Sequence, residues 1–128
     1  MIDTNNLPPL DIYLKGKVKR IEVKEGKLRP YLQFTLEYEN KEYSHVCIQQ
    51  GYIKILNLIG LTDNVESKWD FFDEERTKKL TKIIKNKTII FKLQKVEWSG
   101  SFYIKPYDFI SLEELEALKE LAWLELTL

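Results

Sequence analysis

The residues best suited to chemistry gather between Lys87 and Tyr107, KTIIFKLQKVEWSGSFYIKPY, where lysines alternate with aromatic and aliphatic side chains around Ser99-Gly100. Gly100 supplies the positive φ of a tight hairpin turn, and Ser99 and Ser101 can bond their own backbone, so the stretch reads as two strands with Trp98 and Phe102 flanking the tip. Cations for phosphates and flat rings for bases are the ingredients of sequence-tolerant single-strand binding, although cross-strand aromatic pairs also stabilise sheets. Lys15, Lys17 and Lys19 alternate along an earlier strand and point together from one face, as phosphate contacts or as the guards of a solvated edge.

Other combinations fall short of a site. His45 and Cys47 share a strand face and both can ligate zinc, but the chain has no second histidine or cysteine, so no metal site is expected. Asp70, Asp73, Glu74 and Glu75 have the charge of a magnesium site. Helix capping accounts for them with less, since Asp70 can cap and Glu74 to Lys78 and Glu75 to Lys79 are favourable i, i+4 pairs. Asn86-Lys87-Thr88 lacks the glycine loop that cradles nucleotide phosphates, and His45 is the only imidazole available to activate a nucleophile. The expectation is a protein that is not an enzyme and carries no cofactor.

Periodicity supplies the elements that position these residues. Ile12 to Val23 alternates like a strand, with Ile12, Leu14 and Val18 on one side, until Ile21 and Val23 take the opposite parity. That change predicts a bulge near Lys19 and Arg20, with Gly16 easing the curvature. After the polar loop Lys24-Glu25-Gly26-Lys27, the run Tyr31 to Tyr38 turns Leu32, Phe34, Leu36 and Tyr38 inward. Glu42 to Gln49 is the third strand, with Val46 and Ile48 as its core residues. Tyr52, Ile55, Leu56 and Ile59 then recur at helical spacing, and Gly60 ends that helix. A second helix is predicted from about Asp70 to Lys85, burying Thr77, Leu80, Ile83 and Ile84 and presenting Lys78, Lys79, Lys82 and Lys85.

Strands four and five follow, with Ile89, Phe91 and Leu93 in the core. Ser111 starts a terminal helix, capped by its own side chain and stapled by Ile110 against Leu115. One apolar arc of that helix, Leu112, Leu115, Leu118, Ala122, Trp123 and Leu126, suits the domain. A second arc, Ala117, Leu121, Leu124 and Leu128, suits a partner or another copy of the chain, unless a second buried contact absorbs it.

The chain has 128 residues, 44% hydrophobic and 31% charged, with a formal net charge of zero. That composition fits one soluble domain with a real core and argues against disorder. Charge is segregated: seven basic residues against two acidic lie between Lys15 and Arg29, and eight against none between Arg76 and Lys95. The acids collect from Asp63 to Glu75 and after Ser111, so a basic face can exist on a neutral protein. The opening MIDTNNLPPL has neither a basic n-region nor an apolar run, so no signal peptide or membrane span is expected and the cytoplasm is the expected location. The lone Cys47 agrees with a reducing compartment.

Three strands, a helical segment and a two-strand hairpin are the order of a five-stranded OB-fold barrel. From about Asp11 to Asp108 the chain resembles OB-fold single-stranded-DNA-binding proteins of the phage and mobile-element kind. The lysine-rich first strand, the GYIKILNLIGL helix and the KNKTIIFKL start of strand four carry that resemblance. It implies a mainly β chain with helices (α+β), a single domain in which residues 10–110 form the barrel, helices lie between strands three and four, and 111–128 form a C-terminal helix. It further implies that a nucleic-acid strand crosses strands two and three between two flanking loops. Lys24, Lys27 and Arg29 would then contact phosphates beside Lys15, Lys17 and Lys19. Tyr31 and Gln33 would point from strand two, and Trp98, Tyr103 and Lys105 from the hairpin, with Trp98 and Phe102 at one wall of the groove. The implied ligand is single-stranded DNA, with RNA as an alternative, in phage or mobile-element replication or recombination, where the host cytoplasm would be the location. A protein-binding module acting through Leu121, Leu124 and Leu128 is the competing reading. The end of the chain departs from the disordered acidic tail common in the bacterial members of such families.

Overall fold

The computed structural model describes residues 7–47, 49–60 and 73–127, and the side chains of 49, 50 and 124–127 lie outside the description. The chain forms β1 (Leu14–Lys24), β2 (Tyr31–Tyr38), β3 (Lys41–Cys47), α1 (Gln49–Leu58), α2 (Glu74–Ile84), β4 (Thr88–Trp98), β5 (Ser101–Ile110) and α3 (Leu112–Thr127). All five strands join one antiparallel sheet in the order β3-β2-β1-β4-β5. The sheet curls until its edges meet, with the His45 ring of β3 4.5 Å from the Phe109 ring of β5. This is an α+β architecture consistent with an OB barrel.

The central strand divides its length between two neighbours. Leu14 to Lys17 pair with β4, and Lys17 to Lys24 pair with β2. The β2 register slips between Val18 and Arg20, placing the expected bulge at Lys19 and restoring Ile21 to the core side. Gly16 lies where the strands crowd: a Cβ there would stand 2.6 Å from the Glu37 carbonyl oxygen and 2.6 Å from the Phe91 ring. Where β4 leaves β1, backbone bonds from Val18 to Lys87 and from Asn86 to Val18 take over. Beyond them Thr81 of α2 accepts from the Ile21 N–H at 3.1 Å and donates to its carbonyl at 3.3 Å. A helix side chain thus finishes the ladder that a strand began.

The core combines Leu14, Val18 and Ile21 with Leu32, Phe34 and Leu36, Ile89, Phe91 and Leu93, and the α1 residues Tyr52, Ile55, Leu56 and Ile59. Four residues on one stripe of α1 are buried as their spacing requires, and Gly60 ends the segment at φ 86°. Each such side chain removed from water stabilises the fold by roughly 1.5–3 kcal/mol before the entropy of ordering is counted.

Several expectations are corrected. β1 begins at Leu14, leaving Ile12 exposed. β3 ends at Cys47 and α1 takes up Gln49. Val46 faces outward at 55% exposure, because the register sets Tyr43, His45 and Cys47 opposite Leu36, Phe34 and Leu32, whose side chains are core; Ile48 lies outside the described residues. The N-cap of α2 is Asp73, accepting from the N–H groups of Glu75 and Arg76, while Asp70 lies outside the described residues. Ile83 is exposed and Thr77 and Ile84 are buried, so the inner stripe is narrower than the apolar residues suggest.

Ser111 caps α3 by accepting from the Glu114 N–H at 3.1 Å, and Leu115 packs with Ile90 and Ile110 as the staple requires. Leu112, Leu118, Ala122 and Trp123 are exposed, so the first apolar arc touches the barrel at Leu115 and then leaves it. Leu121 is exposed as well, while the Leu124 side chain and Leu128 fall outside the description.

Two tyrosines clasp the barrel's beginning to its end. Tyr13 donates to Asp108 at 2.6 Å and Tyr107 donates to Asp11 at 2.7 Å. Both aspartates have left-handed backbone, φ 59° at Asp11 and 54° at Asp108, which a short polar side chain tolerates better than most. Donating a hydrogen bond to a carboxylate holds the proton on each phenol and pushes each tyrosine up to about 12.

Candidate nucleic-acid interface

The outer face of β1, β2 and β3 is set by the same register as the core. Tyr31 stands opposite Lys24, Gln33 lies between Glu22 and Val46, and Thr35 lies between Arg20 and Ser44. Tyr31 and Gln33 thus do share one outward face, where Gln33 donates to the Ser44 hydroxyl at 3.3 Å. Tyr31 is half-buried beside the turn at Gly26, where a Cβ would lie 2.3 Å from the Arg29 carbonyl and 3.3 Å from the Tyr31 ring. The close turn leaves Lys27, Leu28 and Arg29 exposed at its tip, Leu28 almost completely.

This face is more nearly neutral than its lysines imply. Lys19 pairs with Glu37 at 3.1 Å, and Lys24 pairs with Glu22 at 3.3 Å. Arg20 bridges Glu22 at 2.9 Å and Glu42 at 3.5 Å. The Arg20 hydrogen bond, followed by the one from Lys24, holds the Glu22 carboxyl below the usual carboxylate range despite partial burial. Lys15, Lys17, Lys27, Arg29 and Lys105 are exposed and make no ion pair among the described residues. Sequence reasoning found the cations and missed Glu22, Glu37 and Glu42 as their partners. Their alternation within the strands was the available signal, but it needed the cross-strand register to be read.

The hairpin is the second wall. Ser99 at φ 53° and Gly100 at φ 82° make the two-residue turn with both central residues left-handed, and the Ser101 hydroxyl donates to the Trp98 carbonyl. Val96 faces Tyr103 and Gln94 faces Lys105 across the ladder, while Trp98 faces Ser101. Trp98, Tyr103 and Lys105 therefore lie on one side, with Trp98 76% and Tyr103 50% exposed. Phe102 does not join them. Its partner is Glu97, which places it on the reverse face, where the Lys95 ammonium sits 4.5 Å above its ring. Two faces of one ribbon, not one wall, carry the Trp98 and Phe102 rings.

His45 and Cys47 turn inward. Desolvation, then Lys105 and Lys54, lower His45 to about 4, and its Nδ1 makes no hydrogen bond among the described residues. Burial pushes the Cys47 thiol up to about 12, which keeps it protonated and unreactive at neutral pH. Among the described residues no three His, Cys, Asp or Glu side chains converge in a way that could hold a metal ion. Nor is any described helix long and apolar enough to cross a membrane.

No family model matches the sequence, and no curated protein matches it. Among solved structures, the chain is similar to one in "Yeast RPA bound to ssDNA", at 13% sequence identity over 99% of this chain and 91% of that one, with a TM-score of 0.40.

Proposed function

We propose that the protein binds single-stranded DNA with little sequence specificity and catalyses no reaction. The exposed ladder of Trp98 and Tyr103 beside Lys105 carries this reading, because large rings left in water on a projecting ribbon are placed to stack on bases rather than to fill a core. Lys27 and Arg29 at the other loop and Lys15 and Lys17 on β1 supply phosphate contacts, and Tyr31 and Gln33 form the floor between. Lys19 and Lys24 contribute less than the free cations, being held by Glu37 and Glu22. The proposed setting, phage or mobile-element replication or recombination in the host cytoplasm, rests on the sequence resemblance alone.

Anisotropy titrations with single-stranded DNA, single-stranded RNA and duplex DNA over a salt series test the reading. Single-strand binding that weakens with salt is expected, with Trp98→Ala binding about 5- to 150-fold more weakly, the equivalent of roughly 1–3 kcal/mol for one stacked base. No single-strand binding at low salt would remove it. Unchanged affinity in Trp98→Ala would remove the stacking surface. The exposed Leu118 and Leu121 of α3 favour a second reading, a protein-binding module, in which nucleic acid would not bind at all.

A further inference from the structure

We infer that the Arg20 guanidinium is a flat platform on which one base of the bound strand stacks, an inference that rests on the single-strand reading above and deepens it. On the outer face of the sheet Arg20 of β1 stands opposite Thr35 of β2, and Thr35 in turn stands opposite Ser44 of β3. The Arg20 Nε donates to a Glu22 carboxylate oxygen at 2.9 Å, and its Nη1 lies 3.5 Å from Glu42 of β3. That second bridge runs from β1 to β3 and so crosses β2 beside Thr35. Thr35 shows the result: although it belongs to the outward set of β2 it is 3% exposed, and its buried hydroxyl makes no hydrogen bond among the described residues. Ser44 is itself exposed and too short to cover it. The arginine side chain therefore lies along the sheet rather than standing off it.

The N–H donors of a guanidinium lie in its plane, so carboxylates gripping it from two strands fix that plane as well as its position. One face is turned to the sheet and the other is left to solvent, with the side chain 45% exposed. Lys19, Arg20 and Lys24 are matched here by Glu37, Glu42 and Glu22, so the middle of the face carries no net charge to draw a phosphate. Cations free of ion pairs among the described residues lie elsewhere, Lys27 and Arg29 in the loop before β2 and Lys105 on β5. A planar cation whose charge is already satisfied suits a base, for which guanidinium planes serve as stacking surfaces much as aromatic rings do. Thr35 lies four residues along β2 from Tyr31, about 13 Å, so Arg20 extends the floor beyond Tyr31 and Gln33.

Anisotropy titrations with two probes of equal length and charge, an oligothymidine and its abasic deoxyribose-phosphate counterpart, test this. The wild type should bind the oligothymidine more tightly. Arg20→Lys keeps the charge and loses the plane, so it should cut that preference about 5-fold or more while the salt slope holds. Glu42→Thr releases one edge of the plane and should narrow the preference as well, even where loss of an acid tightens binding to both probes. Circular dichroism checks both variants, and because Glu42 is 48% exposed its replacement decides alone if Arg20→Lys does not fold. No preference in the wild type, an undiminished one in the folded variants, or an equal loss on both probes would overturn the platform and leave single-strand binding standing. A wild type that binds neither probe would overturn the single-strand reading and the platform with it.

Discussion

Removing one acid from the proposed interface should tighten DNA binding. Glu22 holds Lys24 at 3.3 Å and shares Arg20 with Glu42, so Glu22→Gln frees Lys24 while Arg20 keeps its Glu42 partner. Each phosphate neutralised on a single strand contributes roughly −0.7 to the slope of log Kobs against log salt. The five cations without an ion pair among the described residues, Lys15, Lys17, Lys27, Arg29 and Lys105, then set the wild-type slope at about −3.5, and one further cation makes it about −4.2. If the two lines converge at 1 M salt, the variant binds about 8-fold more tightly at 50 mM. These are surface pairs, with side chains 36–45% exposed, so losing them costs roughly 0.2–1 kcal/mol of stability and leaves the fold intact. The assay is anisotropy of a labelled oligothymidine from 50 to 400 mM salt, with the Glu22→Gln, Lys24→Gln double variant returning to the wild-type slope as the control. An unchanged slope, or weaker binding in Glu22→Gln, would refute the assignment of this face to phosphate contact.

Gly16→Ala should destabilise by about 1–3 kcal/mol, seen as a lower urea midpoint, because its methyl group meets a backbone carbonyl and a packed ring that cannot both move aside; an unchanged midpoint would mean the strands are not so closely crossed. His45 is held at about 4, well below its unfolded value near 6.5, so between those limits the unfolded chain binds the proton that the folded chain refuses. Stability should therefore fall as the pH drops from about 6.5 towards 4, by roughly 1 kcal/mol at pH 5 after allowance for partial solvent access. His45→Leu should flatten that part of a urea-midpoint profile against pH, and an equally steep profile in the variant would assign the loss to other groups.

Much of the fold follows from period and turn chemistry. The α1 stripe, the alternation of β2, the bulge where β1 changes parity and the Ser99-Gly100 turn all have local causes, and local causes can be read along the chain. Where two neighbours in sequence competed, hydropathy misled. Val46 is more apolar than His45, yet β3 obeys the register of β2, which turns His45 inward and Val46 out. The same gap separates the cations of the candidate site from their acids: Lys19 meets Glu37, and Arg20 meets Glu42, only after strands are laid side by side. Phe102 was misplaced because flanking a turn says nothing about which face a ring takes. The terminal helix shows the limit of amphipathic reasoning, since an apolar arc tells that a surface wants cover without telling whether its own barrel provides it.

The division of β1 between two partners also orders events in time. Its C-terminal half pairs with β2 almost at once, while its N-terminal half must wait for β4, which follows β3 by about forty residues. At roughly 5–20 residues per second, a ribosome takes about 2–8 s to deliver that stretch. Until it is made, Leu14 has no β4 strand to lie against, and the apolar face of the first three strands has no cover from β4 or α2. Contacts so distant in sequence also slow refolding of the finished chain. Lysines along a strand that waits for its neighbour disfavour pairing of that open edge with another copy.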